Sequence, residues 1–224
     1  MSASSIKKFV ESLARVKLPN VFNPYADVCP SYDQSAASPL IRRALLQRYL
    51  ESVRMIDSRV MWMGRDLGYR GGRRTGVALT DEAHLGELGE VYGIGTPARS
   101  TCGPIVAERT ATEVWSVLRC IDTPPMLWNV FPFHPFEQGD QLTNRKFSPH
   151  EFSVAQDLNA ELIRVLRVQK IVAIGQDAGA YAARLGIEID QVRHPSYGGV
   201  ADFRAGMSRI YGLGSLSRQG LLEI

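Results

Sequence analysis

The chain has 224 residues, 45% of them hydrophobic, so it can bury a full hydrophobic core, and we expect one domain over residues 1–224. Its 26 basic and 23 acidic residues give a mildly basic balance that does not by itself indicate a nucleic-acid partner. Three cysteines without Cys-x-x-Cys spacing argue against a disulfide framework and give a zinc site little support. No run of about 18 apolar residues predicts a membrane span. We therefore expect a cytoplasmic monomer with no membrane partner.

The first quarter of the chain contains two predicted helices. Apolar residues recur at helical spacing from Ile6 to Ala14, and a serine followed by proline indicates a second helix from Ser38 to about Val53. The stretch between them, Pro19 to Ala37, contains several prolines and is predicted to be an irregular connection rather than a separate domain. The first strand is predicted at Arg59 to Met63.

Helices and strands continue to alternate in the middle of the chain. Thr80-Asp81-Glu82 is typical of the start of a short helix, and Thr110 to Glu113 has the pattern of a capping box before another helix. A second strand is predicted at Met126 to Phe131. After a long loop, Ser148-Pro149-His150-Glu151 is expected to cap a helix that runs to about Leu166.

The last third of the chain completes the pattern. Lys170 to Ile174 is predicted to be the third strand, followed by an alanine-rich helix that ends at Gly186 and by a fourth strand at Ile187 to Arg193. Strands separated by helices imply βαβ crossovers. The sequence therefore predicts the α/β class, with three α/β/α layers and a central four-stranded, mainly parallel sheet. Ligands of such folds bind at the carboxyl ends of the strands.

Three polar motifs lie at predicted strand ends. Gly64-Arg65-Asp66-Leu67-Gly68 follows the first strand, His194-Pro195-Ser196-Tyr197 follows the fourth, and Asn129 lies at the end of the second. An acid on one turn with a histidine on another is what bond cleavage with a developing negative charge requires. The asparagine amide can read a flat, amide-like ligand, because it offers both a donor and an acceptor.

The order of these motifs resembles that of the uracil-DNA glycosylase superfamily. Gly64 to Gly68 is similar to its first motif, which reads Gly-Gln-Asp-Pro-Tyr or, in a large bacterial branch, Gly-Glu-Ala-Pro-Gly. Trp128 to Pro135 and Leu142 to Arg145 also look like the bacterial branch, and Arg193-His194-Pro195-Ser196 resembles the second catalytic motif. The resemblance covers residues 59–211. It implies a monofunctional DNA glycosylase of base excision repair that removes uracil or a related deaminated or 5-substituted base.

The chain departs from the bacterial branch at several motif positions. Arg65 stands where that branch has its acid, and the acid appears one position later as Asp66. Leu67 replaces the motif proline, and Ala78-Leu79 replaces the Pro-Phe whose ring stacks on the flipped base. Stacking is worth roughly 1 to 3 kcal/mol per base, so Leu79 should hold a base less well. Some members carry an iron-sulfur cluster on four cysteines, which three cysteines cannot supply.

The resemblance also implies residue roles. Asp66 is expected to stabilise the positive sugar and to orient water, and His194 is expected to hold the negative base oxygen; both are therefore candidate catalytic residues. The reaction requires no metal or organic cofactor. The candidate base-binding residues are Gly64, Arg65, Gly68, Tyr69, Leu79 and Asn129. The candidate contacts to the DNA backbone are Arg70, Arg73, Arg74, Arg145, Lys146, Ser196 and Tyr197.

Other interpretations stay open at this point. The base could be hypoxanthine or 5-hydroxymethyluracil, and Gly68, which has no side chain, predicts room beside the C5 atom of the base. The protein could instead be a non-catalytic DNA-binding or damage-sensing member of the fold, or a nucleosidase that acts on free nucleosides. Gly175-Gln176-Asp177 copies three letters of the first motif, but it follows the third strand and is predicted only to open the next helix. His134 is predicted to be structural. When acting on DNA, the protein would be associated with a bacterial nucleoid.

Overall fold

The computed structural model describes the backbone of residues 3–214 and the side chains of residues 5–214, and a parallel sheet lies at its centre. The strands are β1 (Val21–Phe22), β2 (Val60–Asp66), β3 (Met126–Phe131), β4 (His134–Pro135), β5 (Lys170–Ile174) and β6 (Glu188–Val192). Four parallel strands in the order β3-β2-β5-β6 form the central sheet, and β1 and β4 form a separate antiparallel pair. The predicted three-layer α/β/α fold with a four-stranded parallel sheet is confirmed.

Helices flank the sheet. The helices are α1 (Ala3–Arg15), α2 (Ser38–Ile56), α3 (Gly72–Thr75), α4 (Leu85–Val91), α5 (Arg109–Leu118), α6 (Pro149–Leu166), α7 (Gln176–Ala182) and α8 (Val200–Tyr211). Two short 3-10 helices, Glu82–His84 and Ala183–Leu185, extend α4 and α7. Helix α1 packs against α2 and α6, while α6 also contacts β3, α7 contacts β5, and α8 contacts β6. None of the helices between residues 3 and 214 combines the length and apolar character that crossing a membrane requires.

The core strands are apolar runs because both faces of the sheet are covered. Every residue of β3 is buried, and in β5 only Lys170 is partly exposed. Such continuous burial is what a parallel sheet between two helix layers requires. The Trp62 and Trp128 side chains of β2 and β3 are among the largest that the core buries.

The register of the parallel strands brings the motif residues to one edge. Gly64 of β2 pairs with Asn129 of β3, and Asp66 pairs with Phe131. The chain leaves β2 toward β3 on one side and leaves β5 toward β6 on the other side. In open α/β sheets a crevice forms where the connections diverge in this way, at the carboxyl ends of the strands. We therefore expect a ligand beyond the ends of β2 and β5.

Helix starts were predicted with mixed success. The capping box of Ser148 and Glu151 is present and begins α6, as predicted. The capping box predicted at Thr110 to Glu113 is wrong, because α5 already begins at Arg109, before Thr110, and Glu108 occupies the cap position in an extended conformation. Asp81 fixes that conformation by accepting a hydrogen bond from the Glu108 backbone N–H (2.5 Å).

Candidate active site at the carboxyl ends of the strands

An ion-pair network spans the crevice between β2 and β5. Arg65 donates from Nε to Asp66 Oδ2 (2.6 Å) and from Nη1 to Asp177 Oδ2 (3.2 Å), and Lys146 Nζ lies 2.7 Å from the same Asp177 oxygen. Burial raises the pKa of Asp66, and the guanidinium of Arg65 opposes that rise. Asp66 is thus a buried acid that forms an ion pair with one arginine. Asp177, which the sequence interpretation placed only at a helix start, does open α7 and also belongs to this network.

His194 is held by the turn that follows β6. Its Nδ1 accepts a hydrogen bond from the Ser196 backbone N–H (3.2 Å) and lies 2.7 Å from Ser196 Oγ. These bonds assign the proton of the neutral ring to Nε2, which can therefore donate to a ligand. Burial, with the charges of Arg65 and Arg193, lowers the pKa of His194. The ring lies against Gly175, where an added Cβ would be 3.2 Å from the His194 Cβ.

Asn129 presents an unpaired amide oxygen. The residue is 1% exposed, and its Oδ1 has no hydrogen-bond partner among the described residues. A buried acceptor left unpaired costs about 1 to 3 kcal/mol, so a ligand N–H at this oxygen would be favoured. The amide lies directly over the Cα of Gly64, and a Cβ added there would collide with Oδ1 and come within 3.0 Å of Leu79 Cδ2. Gly64, Leu79 and Asn129, three of the residues predicted to bind a base, therefore lie together.

The prediction of free space beside Gly68 is wrong. A Cβ added to Gly68 would lie 2.8 Å from Glu108 Oε1, and one added to Gly71 would overlap Glu108 Oε2. The Glu108 carboxyl therefore fills the space that the two glycines leave. The sequence interpretation missed Glu108, since it belongs to no motif. The signal available was the pair of glycines three residues apart, which often marks the close approach of another group.

The predicted DNA contacts of Arg73 and Arg74 are wrong, because both side chains are buried. The Arg73 guanidinium lies 3.8 Å from the Phe22 ring centroid and donates to Tyr32 Oη (2.6 Å). Arg74 pairs with Glu82 (3.0 Å) and lies 4.1 Å from the Tyr32 ring centroid. The segment that contains β1 packs Phe22 against Arg73 and Tyr32 against Arg74 and so keeps both guanidinium groups away from solvent.

Arg145 is also largely committed to the fold. Its guanidinium pairs with both carboxylate oxygens of Glu151 and donates from Nε to the Phe136 carbonyl oxygen (2.9 Å). Nearby, His134 is fully buried, with Nε2 2.8 Å from the Thr143 carbonyl oxygen. Burial lowers the pKa of His134 to about 4, so the ring is neutral and acts as a structural link between loops.

The other residues predicted to contact the DNA backbone lie on the surface around the crevice. Arg70 is exposed and donates to Tyr69 Oη (3.0 Å), and the half-buried Tyr69 donates its backbone N–H to Asn144. Tyr197 is 96% exposed and has a left-handed backbone conformation (φ 51°), beside the half-buried Ser196. With Lys146, whose side chain is 70% exposed, these residues stay candidates for phosphate contact.

The crevice is not built as a metal centre. Among the described residues, no three histidine, cysteine, aspartate or glutamate side chains are grouped closely enough to hold a metal ion. Two acids at the crevice, Asp66 and Asp177, are instead paired with Arg65.

The fold matches that of a solved protein. No family model and no curated protein sequence matches the chain. The crystal structure of wild-type SMUG2 from Pedobacter heparinus superposes with a TM-score of 0.61 at 13% sequence identity, over 94% of this chain and 95% of that chain. At this identity the likeness concerns the fold. The chain therefore has the α/β/α fold of SMUG2.

Proposed function

We propose that the protein is a monofunctional DNA glycosylase that hydrolyses the N-glycosidic bond of uracil or of a related deaminated or 5-substituted base. One observation carries this proposal: an acid at the end of β2, a neutral histidine just after β6 and an unpaired buried amide in the second half of β3 lie toward the same edge of the sheet. The shared fold with SMUG2, a member of the uracil-DNA glycosylase superfamily, supports it.

Asn129 would select the base. Uracil presents an N–H donor beside a carbonyl acceptor, which matches the free Oδ1 of Asn129 and the donor of the same amide. Cytosine presents the opposite pattern and would leave the buried Oδ1 facing another acceptor. Extrusion of the base from the helix costs a few kcal/mol, which contacts to backbone phosphates from Arg70 and Lys146 would help to offset.

Asp66 and His194 would stabilise the two charges that form as the bond breaks. The sugar becomes oxocarbenium-like and the base gains negative charge. Asp66, at the end of β2, can face the sugar and orient the attacking water, while His194 can donate from Nε2 to the base oxygen. Because the pKa of His194 is lowered, the ring donates as a neutral group at pH 7.

A second candidate is a DNA-binding or damage-sensing protein without catalysis. The observation that favours it is the Arg65–Asp66 pair at 2.6 Å, which neutralises much of the charge that catalysis needs. In this case the wild type would bind DNA that contains a damaged base and release it uncleaved.

Single-turnover excision distinguishes the two functions. Oligonucleotides that carry uracil, hypoxanthine, 5-hydroxymethyluracil or a thymine mispair are incubated with protein and then cleaved with alkali at abasic sites. We expect Asp66→Asn and His194→Ala each to lower excision by at least about 10²-fold with DNA binding retained. Asp157→Asn, an exposed acid of α6, is the matched control and should leave the rate unchanged. Near-normal excision by Asp66→Asn would place the chemistry elsewhere.

A further inference from the structure

Glu108 places a second carboxyl beside the loop that follows Asp66. Its two oxygens lie against Gly68 and Gly71, and Gly68 is only two residues beyond Asp66. Among the described residues, the carboxyl makes no hydrogen bond and no ion pair, although the surrounding structure buries most of it. A carboxyl that is held in place but unpaired is available to a ligand.

The backbone around Glu108 is anchored by two other acids. Asp81 accepts the Glu108 N–H (2.5 Å), and Glu82 accepts the N–H of Val106 (2.9 Å). Asp81 is in turn fixed by the ring of His84 (2.6 Å). These bonds fix the position at which the carboxyl enters the site, and the missing side chains of the two glycines leave room for it.

The two carboxyls of the site have different surroundings. Burial raises the pKa of Glu108 to about 7, the charges of Asp81 and Asp66 add to that rise, and Arg70 opposes it. Burial raises the pKa of Asp66 as well, but its carboxylate is in direct contact with the guanidinium of Arg65, which opposes that rise. Contact with a cation favours the ionised form of an acid, and the lack of such a partner favours the protonated form of its neighbour.

We propose that Glu108 is the general acid of this site and protonates the leaving base while Asp66 stabilises the sugar. This inference rests on the glycosylase function proposed above. The bond between C1′ and the base nitrogen breaks, and its electron pair stays on the base. The proton of Glu108 moves to the base as the negative charge that His194 stabilises develops there, so the base leaves neutral and Glu108 becomes a carboxylate. Water adds to C1′ as hydroxide, and its remaining proton returns to Glu108 through solvent.

The proposal predicts which bases need Glu108 most for their excision. A base that is a poor anionic leaving group needs the proton, and hypoxanthine and uracil are bases of this class. A base made more acidic by an electron-withdrawing substituent, such as 5-fluorouracil, leaves as an anion and needs the proton less. General acid catalysis typically contributes 10²- to 10⁴-fold.

The test compares wild type, Glu108→Gln and the exposed control Glu90→Gln of α4 in single-turnover excision from about pH 5 to 9. Glutamine keeps the size of the side chain but cannot deliver a proton. We expect the wild-type rate on uracil and hypoxanthine to fall above about pH 7. Glu108→Gln should be slower by about 10²-fold below that pH, should lose the alkaline fall, and should lose less than about tenfold on 5-fluorouracil.

The outcomes separate this inference from the proposed function. An equal loss on all three bases, or an unchanged alkaline fall in Glu108→Gln, overturns the general-acid role and leaves Glu108 as a residue that shapes the loop. The glycosylase function then stands if the wild type excises a base and Asp66→Asn lowers that excision by at least about 10²-fold. If the wild type excises none of the bases, both proposals are overturned. Circular dichroism of Glu108→Gln checks that the variant is folded.

Discussion

Replacing Glu108 by glutamine is expected to stabilise the protein at neutral and alkaline pH. Its pKa is raised from 4.5 to about 7, mainly by burial, so the folded protein holds a proton that the unfolded chain releases. At about 1.4 kcal/mol per pH unit, the rise corresponds to about 3 kcal/mol of lost stability above about pH 7. Solvent that reaches part of the carboxyl should reduce this to about 1 to 2 kcal/mol.

The sign of the effect follows from the two pKa values. Below about pH 4.5 the carboxyl is neutral in both states, and the penalty is absent. It grows as the pH rises toward 7 and is constant above that. The difference in unfolding free energy between Glu108→Gln and wild type should therefore be small at pH 5 and increase to its full value by pH 8.

Urea unfolding followed by circular dichroism at about pH 5, 6, 7 and 8 measures this difference. Glu90→Gln, an exposed glutamate on α4, is the matched control and should stay within about 0.5 kcal/mol of wild type at every pH. A stability difference for Glu108→Gln that does not change with pH would refute the reasoning, because it would mean that the carboxyl titrates alike in the folded and unfolded chains.

Three further predictions concern the residues around the crevice. Arg73→Met should lower the unfolding free energy by about 3 kcal/mol, because it leaves Tyr32 Oη and His134 Nδ1 without a donor, and urea unfolding measures it. Arg70→Gln should flatten the slope of log binding constant against log salt by about 0.7 to 0.9 if Arg70 contacts one phosphate, and an unchanged slope in a salt titration marks a solvated side chain. Gly68→Ala should lower the unfolding free energy by about 1 kcal/mol in wild type and by less in a Glu108→Ala background, since the added Cβ lies 2.8 Å from Glu108 Oε1. An interaction energy of zero in the double-mutant cycle would contradict this contact.

The sheet was predictable because the residues before and after its strands indicate where each strand begins and ends. The bounds predicted for β3 and β5 match the structure, since each is a mainly apolar run with a clear boundary: prolines flank β3, and Gly175 follows β5. The predicted β2 stopped at Met63, but the strand continues to Asp66 through a glycine and two charged residues. Pairing with β3 as far as Phe131 provides the hydrogen bonds that keep this polar segment extended.

The position of Arg73 could not be read from the local sequence. Three arginines within a glycine-rich loop have the composition of a phosphate-binding surface. What buries Arg73 is the pairing of β1 with β4, two residues each and more than a hundred residues apart, which places Phe22 against its guanidinium. Strands of two residues leave no periodic signal, so composition favoured the wrong interpretation.

Gly68 shows how a residue of the site, Glu108, can be recognised from the space that a glycine leaves beside it. The resemblance at this position suggested an empty space beside the base, but close packing does not allow a void of that size to persist in a protein interior. The space is filled by Glu108 from a segment 40 residues later in the chain, held there by Asp81. A missing side chain therefore predicts a neighbour as readily as it predicts a ligand. Here the neighbour is an acid beside the loop that follows Asp66, so the same glycine that removes a steric barrier admits a proton donor.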